Sequence, residues 1–273
     1  MLCASVCDGA HAQSIKWAKA SMDGSRTGVT IPTDVNIKEA IGTVDGKGRY
    51  TAPNGKIFKA GSATASVASL ILDAQKTMAP VKEAIGYATV EMKKYRPQCE
   101  LSNWYADFLM RATEEMTGRH VDVAFYNFGG IRAGMPQGTI TVDDILSMFP
   151  FKNALCHVTL KGSDLLAIYE WLAQTRMQVV GGVKLVVRDK KLESVMIGEE
   201  PLDPRKEYGV ATTTFLLDGG DGFFIAKNAL DLVVTDVYVK DAVIPYIKRM
   251  TAESRAIEYQ LDDRVTIIET PEE

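Results

Sequence analysis

Two glycine-dense bends dominate the 273-residue sequence, and each follows directly on an apolar run of strand length. The first is Asn127-Phe128-Gly129-Gly130, after Val121 to Tyr126. The second is Asp218-Gly219-Gly220-Asp221-Gly222, about ninety residues later, after Tyr208 to Leu216. Glycine lets backbone turn sharply and approach a ligand where a side chain would block it. A strand ending in a glycine bend is a common site architecture of α/β folds. Each bend, coming directly off an apolar strand, is therefore a candidate site.

The remaining periodicities agree with a mixed α/β chain. Helices are expected from Thr64, as N-cap, to Met78, from Leu101 to Met116, from Val142, from Gly162 to Gln174, and from Asp236 to Met250. In the first, Val67, Leu70, Ile71 and Ala74 form the apolar stripe; in the second, Leu101, Tyr105, Leu109, Ala112 and Met116 do. Gly118 is the stop. Strands are expected at 84–92, 121–126, 139–141, 154–160 and 208–216, with a hairpin 183–187/192–197 turning on Asp189-Lys190-Lys191. Ser14 to Ala63 is poor in apolar runs and reads as an extended arm carrying a small hairpin around Tyr50 to Phe58. The organisation expected is a signal-peptide remnant at 1–13, an N-terminal arm at 14–63 and one domain at 64–273. The fold class is α/β (α+β mixed), as layered mixed sheets flanked by helices.

Ala10-His11-Ala12 is a small-x-small cleavage pattern, which leads to an expectation of a periplasmic or otherwise exported protein; a frayed N-terminus is the alternative. No run is long enough for a membrane span. A net charge of −4 and the lack of a basic face argue against a nucleic acid polymer as partner. Of the four cysteines, Cys3 and Cys7 fall in the leader; Cys99 and Cys156 could be bridged or free. His11, His120 and His157 are the three histidines, and no two stand at metal-ligand spacing.

Three segments, in order, carry a resemblance: Asn127-Phe128-Gly129-Gly130-Ile131-Arg132, Phe149-Pro150-Phe151-Lys152-Asn153, and Phe215-Leu216-Leu217-Asp218-Gly219-Gly220-Asp221-Gly222-Phe223. With Gly138-Thr139-Ile140-Thr141, Leu160-Lys161-Gly162 and Gly181-Gly182 between them, roughly Lys76 to Ile268 resembles the C-terminal, substrate-binding domain of the 5'-nucleotidase and UDP-sugar hydrolase family. That resemblance implies a nucleotide clamp. Phe151 and Phe215 would sandwich the base, Asp221 would bind the ribose hydroxyls, Asn153 the base edge, and Asn127 and Arg132 the ribose and phosphate. Arg96, before the helix that opens with Leu101-Ser102-Asn103, is a further phosphate candidate. Phe128 stands where the family usually has a small residue.

General chemistry suits these roles. Any base can stack on a ring, for about 1–3 kcal/mol. A carboxylate accepts from two vicinal hydroxyls, and an Arg fork fits a phosphate. The plainer alternatives are core phenylalanines, turn or cap polar residues and solvated arginines.

The family's Asp-x-His, Gly-Asn-His-Asp/Glu and Gly-His-x-His metal motifs do not occur here. The resemblance thus implies a nucleotide-binding half of a split phosphoesterase, with no catalytic residue, metal or cofactor of its own. A separately encoded metallophosphatase subunit would carry the divalent metals. The alternative is a stand-alone nucleotide- or nucleoside-binding protein without hydrolase activity.

Overall fold

The computed structural model describes residues 26–30, 32 and 36–271. The expected leader, 1–13, lies outside the described residues, as does the start of the arm. The chain divides into two compact units, Met1–Ala79 and Pro80–Glu273.

In the first unit, α1 (Ile37–Ile41) precedes a three-stranded antiparallel sheet of β1 (Thr43–Val44), β2 (Tyr50–Thr51) and β3 (Ile57–Phe58), followed by α2 (Ala63–Met78). The hairpin expected around Tyr50 to Phe58 is there; residues 37–44 add a helical turn and a strand rather than extended chain. Two expectations for α2 are corrected. Its cap is Ser62, whose Oγ accepts from Ala65 N at 3.3 Å, so Thr64 lies inside the helix. Its buried face is the small-residue side, Ala65 and Ala68, which cluster with Tyr50 and Ala52. Val67, Leu70 and Ile71 are exposed. A two-residue-strand sheet has room only for alanines against it, so the larger residues turn outward.

The second unit contains β4 (Ala84–Ala88), α3 (Glu100–Thr117), β5 (Val123–Tyr126), β6 (Gly138–Thr141), α4 (Val142–Met148), β7 (Ala154–Lys161), α5 (Gly162–Gln174), β8 (Val179–Gly181), β9 (Val183–Arg188), β10 (Lys191–Ile197), β11 (Glu200–Pro201), β12 (Glu207–Thr213), β13 (Asp231–Tyr238), α6 (Val239–Ala252) and β14 (Val265–Ile268). The central sheet runs β13-β7-β12-β5-β8. All its pairings are antiparallel except β12 with β5, which is parallel. Side chains alternate across a strand, so the sheet feeds two cores. Ala124, Tyr126, Leu155 and Ala211 face the cluster built with α3, α4 and α6. Val123, Phe125, Cys156, Val158 and Val210 face the cluster built with α5. The same cluster takes in the second sheet, β11-β10-β9-β14, whose β10 packs against α5. This is the layered mixed α/β architecture expected from the sequence.

Helix α3 starts where Cys99 Sγ accepts from Ser102 N at 3.3 Å and Ser102 Oγ accepts from Cys99 N at 2.9 Å, a reciprocal cap. It ends at Gly118, with φ of 66°. Cys99 and Cys156 are both buried free thiols. Strand β12 stops at Thr213, short of the expected Leu216, because Thr214–Leu216 tightens into a 3₁₀ turn. Likewise Asp236 belongs to β13, and α6 begins at Val239. Among the described residues, no helix is long and apolar enough to cross a membrane.

Candidate functional site

Strands β7 and β12 run antiparallel with Leu155 opposite Thr213. Phe151 lies four residues before Leu155, and Phe215 two residues after Thr213. Both therefore leave the same end of the central sheet. Ala154 N donates to Thr214 Oγ1 at 3.1 Å and ties the two departing segments together. Phe151 is 45% exposed and Phe215 42%. Neighbouring phenylalanines do the anchoring. Phe149 is buried, with its ring centroid 4.6 Å from that of Tyr105. Phe223 is buried between Phe125 at 5.8 Å and Trp171 at 5.1 Å. Each motif thus has one ring fixed in a core and one held at the surface.

The glycine bends meet at a single polar pair. Asn127, at the end of β5, is only 4% exposed and donates from Nδ2 to Asp221 Oδ2 at 2.8 Å. A hydrogen bond to an ionised acceptor is about twice as strong as a neutral one, and it fixes which way the amide points. Asn127 Oδ1 is buried with no hydrogen-bond partner among the described residues. Asp221 has the left-handed backbone φ of 51°, which aspartate tolerates better than most residues. Gly129 packs against this pair: a Cβ there would sit 3.1 Å from Asn127 Nδ2 and 3.3 Å from Asp221 Oδ2. In the second bend, a Cβ on Gly220 would sit 2.0 Å from the Phe215 carbonyl oxygen and 2.8 Å from its ring. The Phe215 ring is thus backed directly by glycine main chain.

Arg96 stacks its guanidinium 4.3 Å from the centroid of Phe128. It donates to the Met177 carbonyl and to Gln178 Oε1, the latter at 3.3 Å, while Gln178 Oε1 also accepts from Phe128 N at 2.9 Å. Partial burial, the Arg176 charge and, in opposition, the Asp221 carboxylate act on it; the net effect is to lower its pKa. Phe128, the departure from the family pattern, is thus the platform for Arg96. Gln178, not singled out in the sequence, holds both; no spacing rule points to a lone Gln beyond a helix end. Arg132 is exposed, and one of its guanidinium nitrogens donates to the Gly129 carbonyl at 3.4 Å. Asn153 lies apart from the Asn127–Asp221 pair in its contacts: its carbonyl accepts from Val239 N at 3.0 Å. Its side chain engages the Tyr126 hydroxyl, whose ionisation burial pushes well up and Asn153 partly offsets.

The second unit thus brings Arg96, Asn127, Arg132 and Asp221 to the glycine bends, and places Phe151 and Phe215 as exposed rings at the adjacent strand ends. No group of three or more His, Cys, Asp or Glu side chains among the described residues could hold a metal ion. His157 is buried in β7 with Nε2 3.0 Å from the His120 carbonyl, a structural contact. The donor set among the described residues therefore does not fit a dinuclear metal centre.

Comparison with known proteins bears on the family and the fold. The family model for the C-terminal domain of 5'-nucleotidase matches residues 62–228. An apyrase of Tabanus yao is 31% identical over 156 residues, covering 48% of this chain and 28% of the relative. The 5'-nucleotidase of Bos taurus is 31% identical over 166 residues, covering 51% and 29%. Among solved structures, a 5'-nucleotidase precursor from Thermus thermophilus superposes with a TM-score of 0.67 at 27% identity, over 84% of this chain and 49% of that one. The match thus spans under a third of these relatives' length and about half of that solved chain. With the family model covering more than half of its residues, the chain belongs to the 5'-nucleotidase C-terminal domain family.

Proposed function

We propose that this chain is the nucleotide-binding part of a 5'-nucleotidase-type phosphoesterase. In this reading a base stacks between Phe151 and Phe215, and the Asp221 carboxylate accepts from the ribose hydroxyls. Asn127 offers its free Oδ1 beside it, Asn153 reads the base edge, and Arg96 and Arg132 hold phosphate. A separate metallophosphatase partner supplies the two-metal chemistry that cleaves the phosphoric monoester. The observation that carries this reading is the buried Asn127 locked to Asp221, beside two phenyl rings left open at one sheet end.

The parts divide the binding between them. An exposed ring pair gains about 1–3 kcal/mol per stacked base without selecting its identity. Asp221 is held by Asn127 and by its own left-handed bend, so little ordering is needed when a diol arrives. The test is phosphate release from AMP with divalent metal, with and without a metallophosphatase, beside calorimetric binding of AMP to the chain alone. Binding alone and hydrolysis only with the partner support the reading. Binding without hydrolysis in either case leaves a nucleotide-binding protein and removes the partner. Hydrolysis by the chain alone, or no binding, contradicts it.

A further inference from the structure

Strand β13 is the outer strand of the central sheet and, among the described residues, pairs only with β7. From Asp231 to Val234 the pairing is regular, with Asp231 opposite Thr159 and Val234 opposite Cys156. Leu230, just before the strand, donates its N–H to the Thr159 carbonyl at 2.8 Å. Side chains two apart share a face of a strand, so Leu230, Leu232 and Val234 form one row. They are 47%, 41% and 49% exposed. Opposite Leu232 and Val234 on β7, Val158 and Cys156 are buried in the core shared with α5. The apolar face of the sheet therefore runs on into an exposed edge.

An open edge is a template for another strand, and proteins ordinarily blunt it with proline, unpaired charge, a bulge or a very short strand. Strand β13 is eight residues long and has no proline. Its register shift lies beyond Val234, so the stretch carrying the apolar row is straight. The sole charge within that stretch is Asp231, and Arg119 neutralises it in an ion pair. Among the described residues, no main-chain group of residues 231–234 bonds to backbone outside the β7 pairing.

We propose that this edge binds a second copy of the chain, β13 to β13 and antiparallel, joining two five-stranded sheets across a two-fold axis at Leu232. The row matches itself in that register. Leu232 stands opposite the second copy's Leu232, and each Leu230 opposite a Val234, which makes three apolar cross-strand pairs. Moving the axis to Val233 sets Leu230 against Asp236 and loses one of them. The ends match as well. Asp236 runs to the second copy's Asn228, beside its Lys227, and the two-fold repeats that approach. Asp236 and Lys227 are both exposed, and neither takes part in an ion pair among the described residues. A ribbon this short is a small interface, so the dimer belongs to the weak, reversible class.

The experiment is sedimentation velocity on the full chain, from about 1 to 100 μM, the range in which a weak dimer forms. Wild type is compared with Leu232→Lys and with Leu70→Lys, a control at an equally apolar position of α2 that is 70% exposed. Wild type should dimerise reversibly, Leu70→Lys should match it, and Leu232→Lys should lose at least about tenfold in dimer affinity. Because Leu232 is half-exposed, circular dichroism of Leu232→Lys should stay that of wild type. A second variant tests the register without adding charge. Directly opposed residues of an antiparallel pair have Cα atoms about 4.5–5.5 Å apart, within disulfide reach. Mild oxidation of Leu232→Cys should therefore yield a covalent dimer whose linked peptide joins position 232 to itself. A wild type that stays monomeric throughout, a dimer weakened alike by both lysine variants or by neither, or no link through position 232 would overturn the proposal.

Discussion

Replacing Gly220 by alanine adds a single methyl, and the structure says where it goes. The new Cβ would stand 2.0 Å from the Phe215 carbonyl oxygen and 2.8 Å from two atoms of the Phe215 ring. Gly220 is not among the positive-φ glycines, so lack of space alone forbids the side chain. The obstructing oxygen is backbone and cannot rotate away. The 3₁₀ turn at Thr214–Leu216 must shift by about 1 Å or more to reach ordinary contact. Overpacking of that kind costs about 1–3 kcal/mol. Leu216, the next residue, is fully buried, so the shift must be transmitted into the core or confined to the Phe215 ring. In either case the ring leaves its present position, and a base relying on it loses about 1–3 kcal/mol of stacking. We expect Gly220→Ala to unfold earlier in urea and to bind AMP at least about fivefold more weakly. Gly46→Ala is the control, since a Cβ at Gly46 meets nothing within 4 Å; its stability should stay within about 0.5 kcal/mol of wild type. Wild-type stability and wild-type AMP affinity in Gly220→Ala would show that glycine main chain does not back the ring.

Two further predictions concern the buried guanidinium of Arg264, whose side chain is 6% exposed and bridges Asp107 at 2.8 Å and Asp262 at 2.5 Å. Arg264→Ala strands both carboxylates and should cost about 3 kcal/mol in denaturant unfolding; the low end of the range applies because Asp107 and Asp262 keep 35% and 46% exposure. Burial by itself raises the Asp262 pKa, but hydrogen bonding and charge from Arg264 outweigh it, so the folded value lies below the ordinary one. A depressed folded pKa stabilises the fold above the unfolded pKa of about 3.9, and that stabilisation fades as pH falls through the folded value. Asp262→Asn should therefore be less stable than wild type at pH 7 by urea titration, with the gap narrowing as the pH falls below the unfolded value of about 3.9; a gap that is constant with pH would remove the ionic role.

Much of this arrangement is legible in the sequence where two signals coincide. Strand, glycine bend and ordered motif together mark Asn127, Asp221 and the two surface rings, and helical periodicity with Gly118 marks α3 closely. Elsewhere local pattern meets a constraint it does not contain. The stripe Val67, Leu70, Ile71 has helical spacing, yet the neighbouring sheet is too small to cover it, so alanines fill the contact instead. Strand β13 alternates more and less exposed positions along an edge and is masked in the sequence by a helix-like start at Asp236. Phe149 and Phe151 are two residues apart and alike in chemistry. Only the packing of Tyr105 and Tyr126 decides that Phe149 is the buried one. Gln178 and Arg176 join the site through the turn after α5, a long-range approach that no local spacing encodes.

A structure of the chain with AMP bound tests the clamp most directly. The adenine should lie between Phe151 and Phe215, with Asp221 within hydrogen-bond distance of both ribose hydroxyls. AMP bound elsewhere, or a base that touches neither ring, would contradict it.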